Sequence, residues 1–124
     1  MNPYILVVDD SVVNLKLATH ILEAEGYRVG QAEDAESALE MIRQAPPDLL
    51  LLDLQLPEMD GLTLARLLKA DEGIRPFPIV ALTAHAMKGD AEKAFAAGCD
   101  GYITKPIDTR KFPQQIAEHL AKKA

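Results

Sequence analysis

Hydrophobic positions along the chain fall into two alternating kinds of run. Residues 5–8, 49–52 and 79–82 are unbroken apolar stretches, the pattern of strands buried on both faces of a parallel sheet. Between them apolar residues recur three or four apart, the period of helices that bury one face. The first strand, 5–8, leads into a helix over 11–25. There Asn14, Leu17, Ala18 and Ile21 share one face and Leu15 and Leu22 lie to its side. Gly26 suits the helix end. A weaker strand over 28–32 precedes a helix over 35–44, capped by Asp34 and stopped by Pro46-Pro47. Asp53 closes the leucine strand. Pro57 stops it, and Asp60-Gly61 turns the chain into a helix over 62–70. The strand 79–82 ends at Thr83 and is followed by a helix from about 87 to 97, closed by Gly98. A short strand over 101–104 and Lys105-Pro106 lead to a fifth helix from near Asp108, with Phe112, Ile116 and Leu120 on one face. Pro113 falls one turn inside that helix and predicts a distorted start.

Strand and helix therefore alternate five times. Crossovers of this length are right-handed and join parallel strands, which predicts an α/β, doubly wound (βα)5 sheet with helices on both faces. The small flavodoxin-like version has strand order 2-1-3-4-5 and places ligands at the carboxyl ends of its strands. That edge would collect Asp9 and Asp10 from the first strand, Asp53 from the third, Thr83 from the fourth and Lys105 from the fifth.

Composition narrows the setting. A chain of 124 residues is the size of one domain, 1–124, with one core. A formal net charge of −6 argues against binding a nucleic-acid backbone directly. One cysteine rules out an internal disulfide and fits a reducing compartment. No apolar run reaches membrane-spanning length and the N-terminus lacks a signal-peptide pattern. The expectation is a cytoplasmic protein without a membrane partner.

The polar residues at that edge have complementary chemistry. Adjacent carboxylates at a strand end repel, and a magnesium ion is the usual offset. The plainer alternative is that one Asp caps a helix while the other is solvated. Asp9, Asp10 and Asp53 together would hold magnesium. Asp53 can act as a nucleophile toward phosphorus, forming an acyl phosphate. Thr83 and Lys105 then offer a hydroxyl and a positive charge to phosphoryl oxygens.

This combination resembles the receiver domain of bacterial two-component response regulators. The resemblance rests on Asp9-Asp10, on 53–61, on Thr83-Ala84 and on 101–106, and covers the whole chain. Residues 10–14 and 84–90 further resemble single-domain regulators of cell division and receivers attached to hybrid sensor kinases. The resemblance implies that Asp53 is the phosphoacceptor, that Asp10 and Asp53 bind magnesium directly and Asp9 through water, and that the backbone carbonyl of Gln55 adds a ligand. It implies that Thr83 and Lys105 contact the phosphoryl group, that Tyr102 is an aromatic switch, and that Lys105-Pro106 is a cis peptide. The implied function is a phosphorylation-dependent signalling switch rather than an enzyme, its only chemistry being self-phosphorylation and autodephosphorylation. The donor would be a histidine kinase or a histidine phosphotransfer protein. The surface of the fourth helix, fifth strand and fifth helix would contact a target protein.

Other readings compete. Aspartate-based magnesium phosphatases carry a second Asp two residues after the nucleophile, where this chain has Gln55. A receiver-like binding module that is never phosphorylated would have no need of the complete acidic set. Tyr102 is alternatively a packing residue of its strand. Asn14 orients Asp9 or packs. His20 and His119 read as exposed helix positions and Cys99 as a small core or loop residue. Leu15 and Leu22 read as exposed apolar residues or as a docking surface, with the kinase-side partner approaching over Leu15.

Overall fold

The structure, a computed structural model, describes residues 2–54, 56, 61–74, 76–83 and 89–122. Strands and helices alternate: β1 (Tyr4–Val8), α1 (Val12–Ala24), β2 (Arg28–Ala32), α2 (Ala35–Gln44), β3 (Leu49–Asp53), α3 (Gly61–Ala70), β4 (Ile79–Thr83), α4 (Asp90–Ala96), β5 (Gly101–Thr104) and α5 (Phe112–Lys122). All strand pairs are parallel, in the order β2-β1-β3-β4-β5. This is the doubly wound arrangement expected from the apolar runs. The predicted start of α4 near Met87 lies outside the described residues.

The alternation of side chains along each strand splits the core in two. Leu50 and Leu52 of β3 face a cluster with Ile42 of α2, Leu64 of α3 and Ala94 of α4. Leu49 and Leu51 face the opposite cluster, with Leu15 and Leu22 of α1 and Phe112 and Ile116 of α5. All four leucines are fully buried, and burying each is worth about 1.5–3 kcal/mol. A strand of this kind has no solvent face, which is why β3 carries no polar residue before Asp53.

Local signals set the helix ends. Ser11 caps α1, its hydroxyl accepting the Asn14 amide at 3.3 Å. Asp34 caps α2 by accepting the Ser37 amide at 2.7 Å, and that bond holds its carboxyl below the usual range. Gly61 opens α3 where the helix presses on the end of β3. A Cβ there would meet the Asp53 carbonyl oxygen at 2.5 Å and the Leu54 Cα at 2.7 Å, neither of which can yield.

Three expectations change. The buried face of α1 is Leu15, Ala18 and Leu22, while Val12 and Val13 are its exposed apolar residues. Leu15 is therefore core and offers no docking surface. Second, α5 begins at Phe112, not at Asp108. The Asp108 carboxylate accepts the amides of Arg110 and Lys111 at 3.0 and 3.3 Å, forming a separate turn. Pro113 thus sits in the first helical turn, where its missing N–H costs nothing. Third, His119 is half-buried, its ring lying against Gly101 of β5, so that any Cβ at Gly101 would overlap it. His20 is exposed, as expected.

Cys99 is buried beside Asp100. Burial first, and the Asp100 charge second, push its thiol up to about 11, against a smaller opposing effect of Lys69. At pH 8 roughly a thousandth of the native thiol is ionised. Native protein should resist a maleimide at pH 8, and labelling should follow global unfolding in urea. Fast labelling without denaturant would contradict this burial.

Candidate functional site

The carboxyl ends of the strands meet at one edge of the sheet, and backbone bonds fix each polar residue there. The Asp9 amide donates to the Ala32 carbonyl at 3.1 Å, carrying the β1–β2 pairing one residue beyond β1. Asp53 is the last residue of β3 and pairs in register with Leu82 of β4. The Lys105 amide donates to the Thr83 carbonyl at 2.7 Å, so the β4–β5 pairing also runs one residue past the strand. Lys105-Pro106 is cis, as the resemblance implies. Asp9, Asp53 and Thr83 are buried, Asp10 is exposed and Lys105 is partly covered.

Lys105 Nζ lies 3.0 Å from Asp53 Oδ2, with a hydrogen bond, and 3.0 Å from Asp9 Oδ2. The Asp9 contact is close but poorly aligned, so it acts as an ion pair. Among the described residues no directed hydrogen bond reaches that buried oxygen. The other oxygen, Asp9 Oδ1, accepts the Ser11 amide at 2.8 Å. Burial alone would lower the Lys105 pKa. The Asp53 hydrogen bond, the close Asp9 contact and the charge of both carboxylates outweigh it and raise the pKa, so the side chain is an ammonium at neutral pH.

Among the described residues the charges do not balance. Asp9, Asp10 and Asp53 bring carboxylate oxygens within 4.8 Å of one another, and among those residues they face one ammonium. At 4.8 Å two such charges repel by ~3.5 kcal/mol at an effective dielectric near 20. Hard oxygen donors, an excess of negative charge and a buried oxygen with spare capacity fit a divalent cation such as magnesium.

The edge thus brings together Asp9, Asp10, Asp53, Thr83 and Lys105. Gln55, expected to add a carbonyl ligand, lies outside the described residues, as do Ala84 to Lys88. Tyr102 of β5 is half-buried against the α2–α4 cluster. It pairs in register with Ala81, two residues before Thr83. Ser11 was not among the expected site residues. Its signal is a capping residue directly after an acidic pair, which brings a helix-start amide to the carboxylates.

Comparison with known proteins places the chain in a family. The family model described as the response regulator receiver domain matches residues 5–117. The polar-differentiation response regulator DivK of Brucella ovis is 41% identical over 120 residues, covering 97% of this chain and 98% of that one. A CheY-like response regulator receiver domain protein from Methanospirillum hungatei shares the fold at a TM-score of 0.88 and 32% identity, over 99% of this chain and 97% of that one. The receiver domain of a sensor histidine kinase from Pseudomonas aeruginosa, with a magnesium ion coordinated in its active-site cleft, gives a TM-score of 0.88 and 32% identity. That match covers 98% of this chain and 99% of the other.

The charge imbalance has a consequence for stability without metal. Lys105→Met takes the ammonium away from two buried carboxylates and should cost ~3–5 kcal/mol in EDTA. Asp53→Asn loses an attraction to Lys105, but it also relieves repulsion from Asp9 and the cost of burying a charge. Its stability in EDTA should equal or exceed that of the parent. Urea melts in EDTA test the order, and magnesium should narrow the gap between Lys105→Met and the parent. A marked loss in Asp53→Asn with none in Lys105→Met would refute this account.

Proposed function

The chain belongs to the response regulator receiver domain family, and from that premise we propose that Asp53 is its phosphoacceptor. A receiver domain serves phosphorylation-dependent signalling in two-component systems. The observation that carries the residue assignment is the Lys105 ammonium 3.0 Å from a buried carboxylate at the end of β3. Asp53 is poised as a nucleophile, with a cation beside it to meet incoming phosphoryl oxygens.

The donor is a phosphohistidine on a histidine kinase or a phosphotransfer protein. An Asp53 carboxylate oxygen attacks phosphorus, the P–O bond forms and the P–N bond breaks. The electron pair returns to the imidazole, which takes up a proton. Asp9, Asp10 and Asp53 would hold Mg2+, with Asp9 acting through water and the Gln55 carbonyl adding a ligand. When bound, the ion supplies charge neutralisation to the phosphoryl oxygens. Lys105 exchanges its carboxylate partners for a phosphoryl oxygen, and the Thr83 hydroxyl donates to another. Attack of water on phosphorus later breaks the acyl P–O bond, releases inorganic phosphate and restores the carboxylate. This self-directed chemistry is the only catalysis assigned to the chain, read as a single receiver domain over 1–124.

The phosphoryl group adds a charge of about −1.5 to −2 and three acceptor oxygens next to Thr83. Drawing Thr83 toward them opens space on the α4 side of β4, and Tyr102 can turn into it. The α4–β5–α5 surface is then the contact for a target protein, biased between two populations. The donor approaches past Val12 and Val13, the apolar residues that α1 exposes just after Asp10. Among the described residues no helix is long and apolar enough to cross a membrane. One buried free cysteine supports a cytoplasmic setting.

Acetyl phosphate with magnesium should add one phosphoryl group to the parent and none to Asp53→Asn by intact mass. Equal labelling of the mutant would remove Asp53 from its role. The switch is tested with beryllofluoride and magnesium by amide NMR. The parent should shift both at Asp53 and along α4 and β5. Thr83→Ala and Tyr102→Ala should keep the former and lose most of the latter. Full distal shifts in both variants would break the Thr83–Tyr102 route while leaving the acceptor intact.

A further inference from the structure

We infer that Ser11 is a positioning residue for the metal site, acting through the Asp9 carboxylate. The inference rests on the reading of Asp9, Asp10 and Asp53 as the set that holds a divalent cation. The two oxygens of Asp9 have different surroundings. Oδ1 accepts the Ser11 amide at 2.8 Å. Oδ2 is buried, 3.0 Å from Lys105 Nζ, and receives no directed hydrogen bond among the described residues. With its own amide bonded to Ala32, Asp9 is held at both the backbone and one carboxylate oxygen.

Ser11 is itself held in place by α1. Its hydroxyl accepts the Asn14 amide at 3.3 Å and its carbonyl accepts the Leu15 amide at 3.0 Å. With φ −88° and ψ 115° it is the extended residue that precedes the helix. An amide at this position has no acceptor within the helix, and here it takes Asp9. The helix thereby sets the plane of the carboxylate. Oδ1 is kept off Lys105, whose contact with Asp9 is limited to the poorly aligned one at Oδ2, and Oδ2 is left with capacity for the water of a bound cation. Without the Ser11 bond the carboxylate could rotate to offer both oxygens to Lys105. The resulting pair would be tighter and would compete with the metal. Groups that orient a metal ligand in this way typically change affinity 10–100-fold when removed.

Two substitutions separate the hydroxyl from the amide. Ser11→Ala loses the cap and keeps the N–H. Ser11→Pro loses both, and φ −88° lies just outside the range proline adopts, so a small backbone adjustment accommodates it. Magnesium affinity is measured by calorimetry on the full chain, with far-UV circular dichroism to verify folding. Ser11→Ala should stay within about twofold of the parent, and Ser11→Pro should bind about tenfold more weakly than Ser11→Ala. In an Asp9→Ala background Ser11→Pro should cause no further loss. Equal affinity of the two Ser11 variants, or an undiminished loss in the Asp9→Ala background, overturns the inference.

A measurement on folded protein covers the case in which Ser11→Pro does not fold. In amide NMR of metal-free protein the Ser11 proton should lie downfield, move upfield in Asp9→Ala, and in the parent follow the magnesium titration. A Ser11 resonance indifferent to Asp9→Ala overturns the inference. If Asp9→Ala, Asp10→Ala and Asp53→Asn all leave magnesium affinity unchanged, the metal reading has failed, and this inference fails with it. If those variants weaken binding and the Ser11 tests are negative, only the positioning role is lost.

Discussion

One ammonium on the edge strand reaches past a neighbouring strand to two carboxylates in the middle of the sheet. Lys105 follows β5, whereas Asp9 follows β1 and Asp53 ends β3. The reach is possible because parallel pairing sends every strand toward the same edge, and because the β4–β5 ladder continues one residue past β5 to bind Lys105 to Thr83. The apolar runs behind the site, 5–8, 49–52 and 79–82, carry no polar side chain with which to satisfy a buried charge. The polar residues at the edge must therefore balance one another or recruit a cation.

The parts most legible in the sequence were those with one physical solution. A four-leucine run followed by Asp has nowhere to go but a central strand ending at the ligand edge, and Leu49–Asp53 does so. The start of α2 was equally plain, because Asp34 is a strong cap. The rotation of α1 was not. That helix carries apolar residues at 12, 13, 15, 17, 18, 21, 22 and 24, and two overlapping stripes fit the same period. Packing on β1 and β3 selected Leu15, Ala18 and Leu22. The start of α5 was misplaced because an Asp that closes a separate turn looks like a helix cap in sequence.

The site was legible as a set of residue types and much less so as geometry. Asp9, Asp53 and Lys105 were visible as strand-end charges, but not which oxygen pairs with which cation. Ser11 was hidden because its contribution comes from the backbone, and any residue type other than proline carries the same N–H. Gly61 is a related case. A turn residue in the sequence proves to be the point at which a helix rests on the carbonyl of Asp53.

The strand order also sets a timetable during synthesis. β1 lies between β2 and β3, so the first strand made is not enclosed until β3 has left the ribosome. At that stage Asp9 and Asp53 can already be neighbours, while Lys105 emerges only about fifty residues later, several seconds at ~5–20 residues per second. The nascent domain must carry its carboxylates without their ammonium for that interval. Ions in the surrounding solution can then supply the counter-charge, and the ionic conditions at the exit tunnel bear on how readily the first half of the sheet closes.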